Sequence, residues 1–144
     1  AAAEPIRGED QFGAARTVEF PSPKILVLTV ADHEGAEDVN LWITALKTEL
    51  GDRVDYEGVA DVSKVPAFLR GTIRKRFAKK YSRPMILDWD GTIVTRFKPE
   101  PKSANVLILD KSGREIARCS GKPSRPKVLE LARAATQPDR PDAR

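Results

Sequence analysis

Cysteine and histidine are almost missing: Cys119 and His33 are the single examples of each in 144 residues. One thiol leaves no internal disulfide, no Cys-x-x-Cys redox centre and no thiolate zinc site within the chain. One imidazole excludes a metal site built mainly from histidines, and no metal or other cofactor is expected. Long apolar runs are missing too. A bilayer-spanning helix needs about 20 such residues, whereas the longest apolar stretch, IleLeuValLeuThrVal at 25–30, reads as a buried strand. No domain-length repeat is present.

What remains is an ordinary globular composition, 40% hydrophobic and 32% charged, in a length that suits one domain with a real core. The formal charge of +4 is unevenly spread. Residues 70–83 hold Arg70, Arg74, Lys75, Arg76, Lys79, Lys80 and Arg83 and no acid, and the rest of the chain carries more acids than bases. The basic character therefore belongs to one segment, not to the whole surface. The opening AlaAlaAlaGlu fits the end left by cleavage at a small-residue site as well as it fits an arbitrary start. A periplasmic or secreted location is accordingly favoured slightly over a cytoplasmic one.

Residues 1–23 show no long apolar period and close with PheProSerPro, which reads as a mobile N-terminal arm or an edge strand. A domain is expected over 24–136, and a disordered tail rich in Pro and Asp over 137–144. LysIleLeuValLeuThrVal at 24–30 is apolar on both faces, as a central strand covered from both sides would be. Val39, Trp42, Ile43, Leu46 and Leu50 recur at helical spacing over about 36–50, with Gly51 as the stop. Residues 54–60 form a second strand. Residues 65–81 form a second helix, with Pro66 in its first turn and a stripe of Val65, Leu69, Ile73, Phe77 and Tyr81 turned to the core. Two short β-type segments follow, MetIleLeu before Asp88 and IleValThrArgPhe after Gly91. ValLeuIleLeu (106–109) and GluIleAlaArgCys (115–119) read as a hairpin, and a last helix spans about 124–135 with Val128, Leu131 and Ala132 inward. This order predicts a mixed sheet between layers of helix, its first two strands parallel and its last two antiparallel.

The stretch MetIleLeuAspTrpAspGlyThr at 85–92 resembles the nucleophile motif of the haloacid dehalogenase-like phosphatases, Asp-x-Asp-Gly-Thr after a buried strand. The same frame recurs 22 residues later: Asp88-x-x-Gly91 and Asp110-x-x-Gly113 each follow an apolar run and precede an aliphatic residue and an arginine. Aspartate first and glycine fourth are what a type I turn favours, because the carboxylate accepts backbone N–H groups and glycine absorbs the reversal. One turn pattern used twice accounts for the string without catalysis. The 56 residues after Asp88 also hold too few elements to bring the further acids that Mg²⁺ requires.

The element order and the two Asp-x-x-Gly segments resemble the thioredoxin-like superfamily, in particular its redoxin and peroxiredoxin branch, over residues 24–135. ProMetIleLeuAspTrpAspGlyThrIleValThrArg and ValLeuIleLeuAspLysSerGlyArgGluIleAlaArg are similar to two segments which that branch carries ahead of its closing helix. The resemblance implies an α/β fold, a three-layer α/β/α sandwich around a mixed central sheet. It also implies where a thiolate would stand: in the turn between the first core strand and the first helix. There the helix dipole and free N–H groups lower a thiol pKa. The matching stretch, AlaAspHisGluGlyAlaGluAsp at 31–38, has no cysteine. A proline, usually cis, normally precedes the strand ValLeuIleLeu; here SerAlaAsn stands at 103–105 and Pro101 comes too early. In both departures the chain is similar to cysteine-less, redox-inactive bacterial members of the superfamily.

Three readings of function follow. The preferred one is a non-catalytic domain that binds a protein partner or a small ligand of unknown identity around a vestigial site of Asp32, His33, Glu34, Glu37, Ser103 and Ala104. Acids around His33 suit a helix N-terminus, so a solvated loop is preferred there to a metal or proton-transfer site. The second reading is a thiol oxidoreductase or peroxidase using Cys119. That residue sits on the outer hairpin strand, the wrong element, and reads instead as a small buried apolar side chain. The third is a binder of nucleic acid or anionic lipid through the basic patch at 70–83. Nucleic acid is disfavoured, because Phe77 and Tyr81 fall on the apolar stripe and offer no stacking platform. Trp42 lies on a helical stripe and is expected in the core, whereas Trp89 occupies a turn.

Overall fold

The apolar runs satisfy their backbone groups in one seven-stranded sheet. The computed structural model describes residues 1–137, so the tail expected over 137–144 lies, but for Gln137, outside the described residues. The strands are β1 (Ile6–Asp10), β2 (Ala15–Val18), β3 (Leu26–Ala31), β4 (Asp55–Asp61), β5 (Ile86–Asp88), β6 (Ala104–Leu109) and β7 (Glu115–Ser120). Helix α1 (Ala36–Leu50) follows β3, α2 (Arg70–Lys80) follows β4, α3 (Thr92–Phe97) follows β5 and α4 (Arg125–Thr136) closes the chain. The spatial order is β2-β1-β5-β4-β3-β6-β7. As expected, β3 and β4 are parallel and β6 and β7 antiparallel.

All six residues of β3 are buried, which is why its sequence shows no alternation. Leu26, Leu28 and Val30 face one side, where they meet Ile6, Phe20, Val59, Leu107 and α3 through Ile93 and Phe97. Val27 faces the other side, against Trp42, Leu46 and Leu50 of α1 and Val128 and Leu131 of α4. Trp42 is fully buried and its indole N–H donates to the Gly121 carbonyl at 2.7 Å, so the ring's polar edge is satisfied. Gly51 stops α1 at φ 56°. A third cluster, Ala60, Val62 and Leu87, sits under Ile73 and Phe77 of α2. Ala31, Ala60 and Leu87 stand side by side in register, so α2 shares its face of the sheet with α1.

The structure departs from the sequence expectations in specific places. IleValThrArgPhe is not a β-type segment but helix α3. Its β-branched residues suggested a strand, yet Ile93 and Phe97, four apart, are the pair it buries, and that spacing belongs to a helix. Residues 67–69 form a separate 3-10 turn, and α2 begins only at Arg70, because Pro66 holds an extended conformation (ψ 146°). Of the expected stripe, Val65, Ile73 and Phe77 pack half-buried against the third cluster, whereas Leu69 is exposed and no residue of α2 is fully buried. Of the two alternatives for residues 1–23, the strand is present twice: β1 pairs with β5 and β2 forms the sheet edge.

The repeated Asp-x-x-Gly frame also resolves differently. At Asp110 it is a turn closed by carboxylate bonds: Oδ1 accepts the N–H groups of Ser112 and Arg114, each at 2.9 Å. Burial raises the Asp110 pKa, but the Ser112 hydroxyl and these N–H groups outweigh it and hold the carboxyl below its usual value. At Asp88 the same letters open a helix, with Oδ2 accepting Val94 N–H at 2.9 Å. The structural twin of the Asp110 turn is Asp10-Gln-Phe-Gly13. Asp10 Oδ1 accepts from Phe12 and Ala14 at 2.9 and 3.0 Å, and Gly13 and Gly113 take φ 82° and 88°. That turn presents Gln11, 2% exposed, to the chain after α2. Its amide donates to the Tyr81 and Arg83 carbonyls at 3.1 and 2.7 Å and accepts Met85 N–H at 2.9 Å.

Candidate functional site

The turn between β3 and α1 is held shut against the loop before β6. Asp32 bridges them: Oδ1 accepts Gly35 N–H at 3.0 Å and Oδ2 accepts Lys102 N–H at 2.7 Å. Gly35 caps α1, and a Cβ there would overlap the Ser103 carbonyl and the Ala104 nitrogen. The two backbones therefore touch, with no room for a side chain at position 35. Asn105, 1% exposed, fixes the loop from behind. Its amide donates to the carbonyls of Val30, Glu100 and Ser103, and its oxygen accepts Glu100 N–H and the Ser120 hydroxyl. Ala104 is fully buried and Ser103 half-buried, while His33, Glu34 and Glu37 are exposed. The peptide bond before Ala104 is trans; Phe20–Pro21 is the cis bond among the described residues.

Beside this closed turn lies a cleft of about 620 Å³ between α1 and α2. Val39 and Ile43 line it from α1, and Ile73 and Phe77 from α2. Its floor is β4, where Gly58 leaves room: a Cβ there would come no nearer than 3.4 Å to Thr29 Oγ1 and 3.7 Å to Met85 Cβ. Residues 81–85, the segment tethered by Gln11, form the rear wall. Asp32 and His33 border the cleft from the first candidate site and Arg76, Lys80 and Arg83 from the basic patch. Glu34, Glu37, Ser103 and Ala104 are not part of it, nor are Lys75 and Lys79. Arg74 is paired with Glu9 at 3.3 Å, and Arg70 lies over the Trp89 ring at 5.5 Å. Tyr56, also on the cleft wall, has its pKa raised by burial and by Asp52, and its hydroxyl donates to the Gly51 carbonyl at 3.0 Å.

The sequence matches no protein-family model and no curated protein. Solved structures match closely in shape. The exposed lipoprotein thioredoxin of Streptococcus pneumoniae superposes with a TM-score of 0.69 over 90% of this chain and 98% of that one, at 11% identity. A DsbF homologue from Corynebacterium diphtheriae gives 0.63 over 93% and 86%, at 18% identity. StoA from Bacillus subtilis gives 0.63 over 93% and 98%, at 13% identity. The fold is thioredoxin-like.

In this thioredoxin-like chain the one thiol lies under α4. Cys119 packs with Val106, Val128 and Leu131, and burial, followed by the charge of Glu130, pushes its pKa up. A buried neutral thiol reacts slowly. Alkylation by iodoacetamide at about pH 7.5 is expected to be slow in the native state and rapid after denaturation, as read by mass spectrometry. The linkage sign follows: the fold favours the protonated thiol, so stability is present below the ordinary thiol range and falls as pH rises through it. Fast labelling of native protein would contradict this environment. Asp88 is likewise occupied, 4% exposed and bonded to α3. Among the described residues no three His, Cys, Asp or Glu side chains gather to hold a metal ion, and no helix is long and apolar enough to cross a membrane.

The sequence reading missed Gln11, Asn105 and the cleft itself. A signal existed for the first: Asp10-x-x-Gly13 repeats the string recognised at Asp88 and Asp110. For Asn105 the only signal was a polar residue in an apolar strand, ValLeuIleLeu preceded by AlaAsn.

Proposed function

We propose that this is a non-catalytic thioredoxin-like domain that captures a ligand in the cleft between α1 and α2. One observation supports the reading: Asp32 and the Gly35–Ser103 contact pin the β3–α1 turn to the loop before β6, while an apolar cleft stays open next to it. A volume of this size with mainly apolar walls and a few polar groups at its border is the usual form of a small-molecule site. Burial of Cys119 counts against the thiol oxidoreductase or peroxidase alternative.

The test has two arms. Insulin disulfide reduction and hydroperoxide consumption are expected to proceed no faster than in buffer. A solvent-sensitive apolar fluorophore is expected to bind wild type and to lose that binding in Gly58→Val, which places methyl groups on the cleft floor. Catalytic turnover in the first arm, or unchanged fluorophore binding in the second, overturns the proposal.

A second reading is supported by Phe68, which is 83% exposed directly ahead of the basic helix. An exposed aromatic in the turn that leads into the basic helix suits an anionic membrane surface, with attraction that fades as salt rises. Vesicle co-sedimentation that depends on Phe68 and on low salt would favour it.

A further inference from the structure

We propose that the ligand of the cleft is an amphipathic organic anion: an extended apolar body ending in a carboxylate. This rests on the reading of the cleft as a capture site and goes on to its charge. Each acid that lines the cleft already accepts hydrogen bonds from within the chain. Both oxygens of Asp32 accept backbone N–H groups. Glu57 is held by Arg16 through two bonds of 3.0 Å, an arrangement that raises the arginine's pKa. Asp61 Oδ1 takes the N–H and the hydroxyl of Ser63, at 3.1 and 2.7 Å.

The cations are not engaged in this way. Among the described residues, Arg76, Lys80 and Arg83 have no carboxylate within ion-pair distance; Lys80 lies over the Tyr81 ring at 5.4 Å. Arg76 and Lys80 are four apart on α2 and share a side of the helix, and Arg83 follows in the tethered segment. They lie next to Ile73 and Phe77, so the charged border and the apolar wall belong to one surface. A cationic ligand would meet Arg76, Lys80 and Arg83 and would have to compete with the bonds already made to Asp32, Glu57 and Asp61 Oδ1. A purely neutral one would leave three cations unused. A carboxylate on an apolar chain satisfies both halves: the chain displaces water from Val39, Ile43, Ile73 and Phe77, and the head group meets the cations.

The probes are decanoate, decanol and decyltrimethylammonium below micelle-forming concentration, titrated calorimetrically with amide chemical shifts followed in parallel. Decanoate is expected to bind with the largest shifts at residues 39–43 and 58–62. The double variant Arg76→Gln/Lys80→Gln is expected to weaken decanoate about tenfold or more, from the loss of two charge-assisted contacts. Lys75→Gln/Lys79→Gln removes the same charge from the same helix outside the cleft and is expected to change affinity by less than about twofold. All four positions are exposed, so folding is preserved. Equal losses in the two double variants would reduce the effect to general surface attraction and overturn the proposal. Decanol or decyltrimethylammonium binding as tightly as decanoate would overturn the anion assignment while leaving capture in the cleft standing. No binding by any of the three, with no shifts at the cleft, would overturn both.

Discussion

Asn105→Ala is expected to lower the unfolding free energy by about 3–5 kcal/mol, although it removes no apolar contact. The side chain is 1% exposed and makes five hydrogen bonds, three as donor and two as acceptor. Truncation leaves the Val30 carbonyl and both backbone groups of Glu100 without that partner, and each unsatisfied buried group costs about 1–3 kcal/mol. Water can enter the Glu100 end and recover part of this, so the total stays below the simple sum. Against a domain stability of about 5–15 kcal/mol the loss is large. Urea unfolding reads it as a lower midpoint at unchanged slope. A change below about 1 kcal/mol would mean that this loop is held some other way.

Gly35→Ala is the second substitution with a large expected effect. The new methyl would meet the Ser103 carbonyl carbon and oxygen and the Ala104 nitrogen, which are backbone and cannot rotate aside. Overpacking of this kind costs about 1–3 kcal/mol. Alanine is also a poorer N-cap than glycine, so no gain in helix stability offsets the clash. The damage should be local and directional: α1's first turn moves away from the loop, and the Asp32–Lys102 bond lengthens. Hydrogen exchange at the Lys102 amide is therefore expected to accelerate while amides of β3 and β6 keep their protection. If Lys102 stays protected and stability is unchanged, the two backbones are not in the contact described.

Much of the domain was legible because its signals are local. Trp42, Leu46 and Leu50 mark a helix by their spacing, and all three are buried on one face. The unbroken apolar run at 25–30 marks a strand covered on both sides, and β3 is that strand. The parallel β3–β4 pair followed from having one helix between two strands. What escaped depends on partners far away in sequence. Gln11 bonds residues seventy or more positions on, and nothing near it announces that. IleValThrArgPhe carries strand-type residues, and only the burial of Ile93 with Phe97 makes it a helix. Of the candidate site residues, the local pattern identified Asp32 as belonging to the β3–α1 turn but not its bond across to Lys102. The cleft had no sequence signature, because it is a gap between α1 and α2, and gaps have no residues of their own.

Gln11 carries a mechanical consequence. One amide on the first hairpin grips the chain at three points along the rear of the cleft, and Arg16–Glu57 and Glu9–Arg74 tie the same hairpin to its wall and to α2, so the amino terminus and the proposed binding cavity are mechanically linked. A tug or a bulky attachment ahead of β1 would be transmitted through these bonds to the cavity walls. A fluorescent label or surface tether is therefore safest placed elsewhere than the amino terminus when occupancy of the cavity is the quantity measured.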